Sequence, residues 1–173
     1  LWLVEHAVKE FGTDNILIGG GSAGAHLSVL TLLRMRDKHS YNQFKGVNLV
    51  FGVYYLGMTP SMRNWSDKEL ILSTRIVDKL VKYYLPKDID PCDPTVSPLY
   101  ADLNKMPPAL FTIGTLDPLL DDTLFMYMRW LSFGNKADLV VCPGGVHGFT
   151  SMLSPQADEV KACISDFFRS HCP

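Results

Sequence analysis

The sequence contains no long apolar run and no block of like charge. No stretch approaches the roughly 18 apolar residues of a membrane-spanning helix, and the first residues show no basic segment followed by an apolar one, as a signal peptide would. The 16 Lys and Arg residues and the 18 Asp and Glu residues are interspersed and give a formal net charge of -2. These absences argue against a membrane span and against nucleic acid as a partner, and we expect a cytoplasmic protein.

Cysteine is scarce as well. The four cysteines show no C-x-x-C spacing, so the sequence predicts reduced thiols and no disulfide framework. Cys142 ends the apolar run 139–142 and is predicted to be a small buried residue without a chemical role. The 173 residues are 47% hydrophobic, which is typical of one ordinary globular domain that buries a core.

Two kinds of apolar segment alternate along the chain. Short, branched runs predict buried strands at residues 16–18, 47–55, 109–113 and 138–142. Apolar residues at helical spacing predict helices at residues 1–11, 22–37, 118–133 and 155–169. Strands alternating with helices predict an α/β protein with a doubly wound, mostly parallel sheet that helices cover on both faces.

Residues 58–93 interrupt this alternation. The segment has a polar opening and a Pro- and Asp-rich exit, which together indicate an insertion into the α/β domain. Between them a periodic helix is predicted through Leu70, Ile71, Ile76, Val77, Leu80 and Tyr84.

The glycine-rich segment after the first strand carries the strongest chemical signal. Gly20, Ser22 and Gly24 form G-x-S-x-G between a predicted strand and a predicted helix, which is the context of a nucleophilic serine. A sharp strand-to-helix turn strains the backbone, and we expect Gly20 and Gly24 to remove side chains that would collide there. Ser22 is therefore the predicted nucleophile, and the N–H of Ala23, at a helix N-terminus, is the predicted oxyanion donor.

The same glycines allow a second interpretation. Gly19, Gly21 and Gly24 also satisfy the G-x-G-x-x-G pattern of a dinucleotide-binding turn. Such a site needs an acidic residue about 20 residues further on, at the end of the next strand. The next predicted strand ends at Tyr55 with no acid before Asp67, so the nucleophile is the favoured interpretation.

A nucleophilic serine needs a base and an orienting carboxylate, which follow in this fold in the order Ser, Asp or Glu, His. Asp117 comes just after the strand 109–113, at the edge of the sheet where ligands bind. It precedes Pro118, so a helix cap is the competing role for this carboxylate. Asp121 and Asp122 are rival acids, but both fall inside the predicted helix.

His147 is the predicted base. It lies in the glycine-rich segment 143–149 after the last strand, again at the carboxyl edge of the sheet. His26, one helical turn beyond Ser22, is the rival base, although side chains at that position are expected to project between helix and sheet.

At these residues the chain resembles the hormone-sensitive-lipase-like branch of the α/β-hydrolases. The likeness is collinear and covers essentially the whole chain, through the segments 20–24, 97–103, 107–109, 117–122 and 147–149. The resemblance implies a triad of Ser22, Asp117 and His147, and it makes residues 58–93 part of a substrate-covering cap. It also implies carboxylic esters of short to medium acyl chains as substrates and no metal or organic cofactor.

The chain departs from that family in two respects. Gly21 stands where members usually have Asp, and Ala25 stands where many have a second Gly. The His-Gly-Gly-Gly oxyanion segment, which precedes the nucleophile strand in the family, does not occur between Leu1 and Ile18. The chain also opens on Leu1, and its first apolar residues already follow helical spacing. We therefore expect the chain to begin partway into a domain. In isolation, we expect it to be inactive and prone to aggregate.

The sequence thus predicts a serine hydrolase that cleaves a small-molecule ester through an acyl-enzyme. An amidase or peptidase on the same triad is one alternative. A non-catalytic remnant of the fold that acts as a binding module is another. The sequence leaves the oligomeric state open.

Overall fold

The structure of the chain is a computed structural model, and it describes residues 1–65 and 70–172. Within these residues, four parallel strands pair in the order β1-β2-β3-β4. Their bounds are β1 (Leu17–Gly21), β2 (Gly46–Val50), β3 (Ala109–Leu116) and β4 (Ala137–Val146). The predicted α/β architecture with a parallel sheet is confirmed.

Helices pack on both faces of this sheet. Their bounds are α1 (Trp2–Phe11), α2 (Ala23–His39), α3 (Pro60–Asn64), α4 (Thr74–Tyr84), α5 (Leu120–Ser132) and α6 (Pro155–His171). Alternate strand residues point to opposite faces, so Leu49 joins the core formed with α2 and α5, whereas Val50 joins a second core with Val160 of α6. In the part of the chain that the structure describes, no helix is long and apolar enough to cross a membrane.

The predicted strand 47–55 was wrong in its second half, because β2 ends at Val50. Phe51 has a positive φ of 40°, a conformation that breaks the extended backbone. Beyond it, the N–H groups of Tyr54 and Tyr55 donate to the carboxylate of Asp122 and not to a neighbouring strand. Apolar character alone did not distinguish a buried loop from a buried strand here.

The other strands run further than predicted at their carboxyl ends. β1 continues through its glycines to Gly21, β3 reaches Leu116, and β4 reaches Val146. The residues around Gly144, which the sequence predicts to be a loop, therefore form the irregular last part of β4. Glycine and proline indicate turns along a chain, but close partners on a neighbouring strand can hold them in a sheet.

The helix predicted from Leu70 begins later than expected, at Thr74. Ile71 has a φ of 62°, which a right-handed helix excludes, and the Ser73 hydroxyl oxygen accepts a hydrogen bond from the Ile76 N–H at 3.3 Å as a helix cap. Residues 66–69 of the proposed insertion lie outside the described residues.

The pairing of β3 with β4 sets the geometry of the sheet's carboxyl edge. A register shift lies between Gly114 and Leu116, and Leu116 pairs with Val146. A Cβ atom at Gly114 would collide with the backbone of Gly145, so the two strands approach this closely only with glycine at that position. The residues that follow this last pair, 117 and 147, consequently leave the sheet side by side.

Asp122, in the first turn of α5, anchors the segment that follows β2. Its carboxylate accepts hydrogen bonds from the N–H groups of Tyr54 and Tyr55 at 2.7 and 2.9 Å and from the hydroxyl of Thr59 at 2.6 Å. Asp122 is only 1% exposed, and burial raises the pKa of its carboxyl group to about 6, against the lowering effect of the three donors.

We expect this buried carboxyl group to make stability depend on pH. Its folded pKa of about 6 lies above the ordinary value of 3.8, so the folded state binds the proton more tightly than the unfolded state. The contribution is fully present below about pH 4 and is lost as the pH rises through 6, by roughly 3 kcal/mol in the free energy of unfolding. Urea unfolding of the wild type and Asp122→Asn at several pH values measures it.

The Asn variant has no proton to titrate at this position, which makes it the reference. The difference in unfolding free energy between the wild type and Asp122→Asn should shift against the wild type between pH 4 and pH 7. A difference that stays constant across this range would show that the carboxyl group titrates normally.

Candidate active site

Ser22 occupies the turn between β1 and α2 in a strained conformation. Its φ of 56° and ψ of -121° lie in a region that side-chain-bearing residues rarely adopt. Its N–H donates to the carbonyl oxygen of Val50 at 2.9 Å, which ties the turn to the end of β2. Ser22 is the N-cap residue of α2, yet its hydroxyl makes no capping hydrogen bond, so the side chain is directed elsewhere.

Of the two glycines expected to relieve this turn, only Gly20 faces a collision. A Cβ atom there would lie 2.6 to 2.8 Å from backbone atoms of Gly24. A Cβ atom at Gly24 would meet no atom within 4 Å among the described residues. The expectation was wrong for Gly24, because its backbone is the obstacle to a side chain on Gly20, whereas the position of a Cβ atom on Gly24 itself is open.

The three predicted triad residues lie together at the carboxyl edge of the sheet. His147 Nδ1 donates to Oδ2 of Asp117 at 2.8 Å, since a carboxylate can only accept. The hydroxyl of Ser22 lies 3.0 Å from His147 Nε2, which is placed to accept its proton. Asp117 is fully buried and His147 is 8% exposed, so solvent does not compete for these contacts. Their catalytic roles stay predictions.

Because α5 begins at Leu120 with Leu119 as its N-cap residue, the helix-cap role considered for Asp117 was wrong. The Oδ1 atom of Asp117 accepts a hydrogen bond from the Leu119 N–H at 2.9 Å, which supports the turn that leads into α5. The other oxygen, Oδ2, holds His147. A carboxylate has enough lone pairs for both bonds, so the hydrogen bond from Leu119 fixes the orientation in which it meets the imidazole.

The rival residues make other contacts. Asp121 Oδ2 accepts from the N–H of Ser61 at 2.7 Å, and Asp122 binds the segment after β2. His26 Nδ1 donates to the carbonyl oxygen of Val53 at 2.9 Å. Each of these three side chains therefore holds part of the segment that follows β2 in place.

Phe51 is a site residue that the sequence analysis missed. Its ring lies 4.8 Å from the imidazole of His147 between centroids, and a Cβ atom on Gly21 would come within 3.1 Å of the same ring. The space beside the turn, where the family usually carries Asp, is thus occupied by an aromatic ring. The apolar sequence pattern did not distinguish Phe51 from a strand residue. Its contact with His147 depends on the positive φ at which it leaves the strand, which the pattern does not indicate.

An apolar cavity of about 290 Å³ opens beside Ser22. Its wall combines the start of α2, the segment after β2, and one face of α4. The lining side chains include Ala23, Val53, Leu56, Val77, Leu80 and Leu119. The cavity thus brings the proposed insertion and the turn at Ser22 into one concave site.

Ala23 lies at the first position of α2. N–H groups in the first turn of a helix have no acceptor within the helix, and the helix dipole favours negative charge there. In residues 1–65 and 70–172, no group of three or more His, Cys, Asp or Glu residues is arranged to hold a metal ion.

A serine on a strained turn between a parallel strand and a helix, at the carboxyl edge of the sheet, is typical of the α/β-hydrolase class of folds. The chain belongs to the family described as the α/β-hydrolase fold, whose model matches residues 1–151. This membership argues against the dinucleotide-binding turn that the glycines also matched.

Curated relatives of the chain are esterases. The carboxylic ester hydrolase LipN of Mycobacterium tuberculosis is 32% identical over 161 residues, which cover 88% of this chain and 43% of LipN. An esterase of Acinetobacter venetianus is 35% identical over 172 residues, covering 94% of this chain and 54% of that protein. The predicted resemblance to lipase-like carboxylesterases is confirmed, and the chain spans about half the length of these relatives.

Solved structures give the same result. The hyperthermophilic esterase of the archaeon Pyrobaculum calidifontis superposes with a TM-score of 0.89 at 28% identity, covering 98% of this chain and 57% of that one. The thermostable carboxylesterase EstE1, cloned from a metagenomic library, superposes with a TM-score of 0.90 at 27% identity, covering 99% and 60%. The fold is therefore shared along nearly the whole of this chain.

Substitutions at the two glycines of the turn should have opposite effects. Gly20→Ala places a methyl group against the backbone of Gly24, and we expect it to lower the free energy of unfolding by roughly 2 kcal/mol. Gly24→Ala adds a methyl group in open space within the first turn of α2. We expect no loss and a gain of up to about 1 kcal/mol, since alanine favours a helix over glycine.

Chemical unfolding monitored by circular dichroism measures both changes. Equal destabilisation by the two variants would contradict the asymmetry of this turn.

Proposed function

We propose that the protein is a serine hydrolase that cleaves carboxylic esters through an acyl-enzyme. The observation that carries this proposal is the unbroken series of hydrogen bonds from Ser22 through His147 to the buried Asp117. Each contact is shorter than about 3.2 Å, the range in which a base activates a nucleophile and a carboxylate orients the base.

In the first half-reaction, His147 Nε2 takes the hydroxyl proton as Ser22 Oγ attacks the ester carbonyl carbon. Asp117 keeps the other imidazole nitrogen protonated and stabilises the imidazolium that forms. When the tetrahedral intermediate collapses, the imidazolium returns its proton to the departing alcohol, and the acyl group remains on Ser22.

In the second half-reaction, a water molecule gives a proton to His147 and attacks the acyl-serine. Collapse of this intermediate releases the carboxylic acid and restores the proton to Ser22 Oγ. The N–H of Ala23, at the positive end of α2, is the proposed donor to the oxyanion in both halves. Every step uses protein groups and water, so the proposal requires no cofactor.

The substrate is proposed to be a small ester with a short to medium acyl chain. The cavity beside Ser22 has a volume of about 290 Å³ and is lined mostly by aliphatic side chains, which suits a compact apolar group. α4 contributes Val77, Leu80 and Val81 to this wall, which supports a role for residues 58–93 as a cap over the site.

Esters are favoured over amides because the relatives are named as esterases and a carboxylic ester hydrolase. A purely binding role is disfavoured by the strain at Ser22, since a binding module would have no use for a serine held at a φ of 56°.

The proposal predicts that Ser22→Ala in the full-length protein lowers hydrolysis of an aryl ester by on the order of 10³-fold or more, because the nucleophile is lost. The same variant should no longer be labelled by a fluorophosphonate probe, which reacts only with an activated serine. Ser28→Ala is the matched control, since Ser28 lies in the same helix and donates to the Gly24 carbonyl oxygen.

Intact-protein mass spectrometry measures the labelling, and a chromogenic assay measures turnover. Labelling or turnover that survives Ser22→Ala would overturn the assignment.

A further inference from the structure

His26 is a buried histidine whose hydrogen-bond partner indicates which ring nitrogen carries the proton. The residue is 4% exposed, and its Nδ1 lies 2.9 Å from the carbonyl oxygen of Val53. A carbonyl oxygen can only accept, so Nδ1 carries the proton. Burial lowers the pKa of the imidazole, which keeps the ring neutral. The other nitrogen, Nε2, therefore presents a lone pair.

That lone pair has no partner. Nε2 is buried and makes no hydrogen bond to any of the described residues. Buried polar groups are normally hydrogen-bonded, so a buried acceptor without a partner in the protein requires a specific explanation, such as a bound water or a functional role. His26 lines the apolar cavity beside Ser22, together with Ala23 and Val53.

Other polar side chains of this wall do not satisfy Nε2. The hydroxyl of Ser22 is directed to His147. Tyr84, the last residue of α4, packs its ring in a T-shaped contact with the His26 imidazole at 5.8 Å between centroids. Tyr84 is half-exposed, so one side of this covering ring borders solvent.

We propose that His26 Nε2, which is closed to solvent in this structure, becomes a substrate-recognition group when the half-exposed Tyr84 ring moves aside, and then accepts a hydrogen bond from a hydroxyl or N–H group on the ester. The protein would thus select esters that carry such a donor, close to the scissile carbonyl, over purely aliphatic ones. This inference rests on the proposed function, because it identifies the substrate of the same site.

The position of His26 limits where the donor lies. Ser22 and His26 are four residues apart, about one helical turn or 5 to 6 Å along α2. A donor atom that is separated from the scissile carbonyl carbon by two or three intervening atoms spans this distance together with its hydrogen bond to Nε2. It can lie on the acyl chain or on the alcohol, and the two are separate arms of the test.

The test measures binding to Ser22→Ala, which retains the cavity but cannot turn substrate over. In the acyl arm, ethyl 3-hydroxybutanoate is compared with its isostere ethyl 3-methylbutanoate. In the alcohol arm, 2-hydroxyethyl butanoate is compared with propyl butanoate. We expect at least about tenfold tighter binding of the hydroxylated ester in one arm, because a site built for a hydrogen bond rejects the analogue that lacks it.

A second substitution tests whether His26 is responsible. In Ser22→Ala combined with His26→Phe, the preference should fall to about twofold or less, because phenylalanine fills the volume without an acceptor. Ser22→Ala combined with Tyr84→Phe is the matched control and should retain the preference, since it removes the hydroxyl of the covering ring alone. Calorimetry measures the affinities.

A measurement on intact His26 covers the case in which His26→Phe does not fold. In protein labelled with ¹⁵N-histidine, the Nε2 resonance of His26 should shift on addition of the hydroxylated ester and not of its isostere.

Equal affinities in both arms, or a preference that survives His26→Phe, would overturn the inference and assign His26 to supporting Val53. Neither result depends on turnover, so failure of this inference is distinguishable from failure of the ester hydrolase proposal, which the fluorophosphonate probe tests.

Discussion

The pairing of Leu116 with Val146 is the interaction on which the candidate site depends. It is the last pair between β3 and β4, and it directs Asp117 and His147 out of the sheet as neighbours. The close contact of Gly114 with the backbone of Gly145 makes this register possible. A one-residue slip of either strand would turn the side chains of that strand to the opposite face and separate the carboxylate from the imidazole.

The segment after β2 is the second support of the site. Phe51 turns the chain out of the sheet and packs its ring against His147. The following residues are held by Asp122 and bring Val53 and Leu56 to the cavity wall. The buried carboxylate of Asp122 thus shapes the cavity wall through residues about 65 positions earlier in the sequence, although Asp122 is not one of the residues that line the cavity.

Gly21 and Phe51 mark the place where this site departs from what the family resemblance led us to expect. The resemblance placed a carboxylate where this chain has Gly21, and the ring of Phe51 occupies the adjacent space. An aromatic ring on one face of His147 limits the rotation of the imidazole by packing. The orienting hydrogen bond from His147 to Asp117 is retained.

The sequence by itself determined the parallel α/β class, the existence of nearly every strand and helix, and the order of Ser22, Asp117 and His147. These features depend on hydrophobic periodicity and on short motifs, in which the interacting residues are neighbours along the chain. Only the tertiary structure decided where β2 ends, which glycine of the turn is obligatory, and that Phe51 and His26 border the site. Apart from the contact of Gly20 with Gly24, these features depend on contacts between distant segments, such as Phe51 with His147, and strand register sets such contacts.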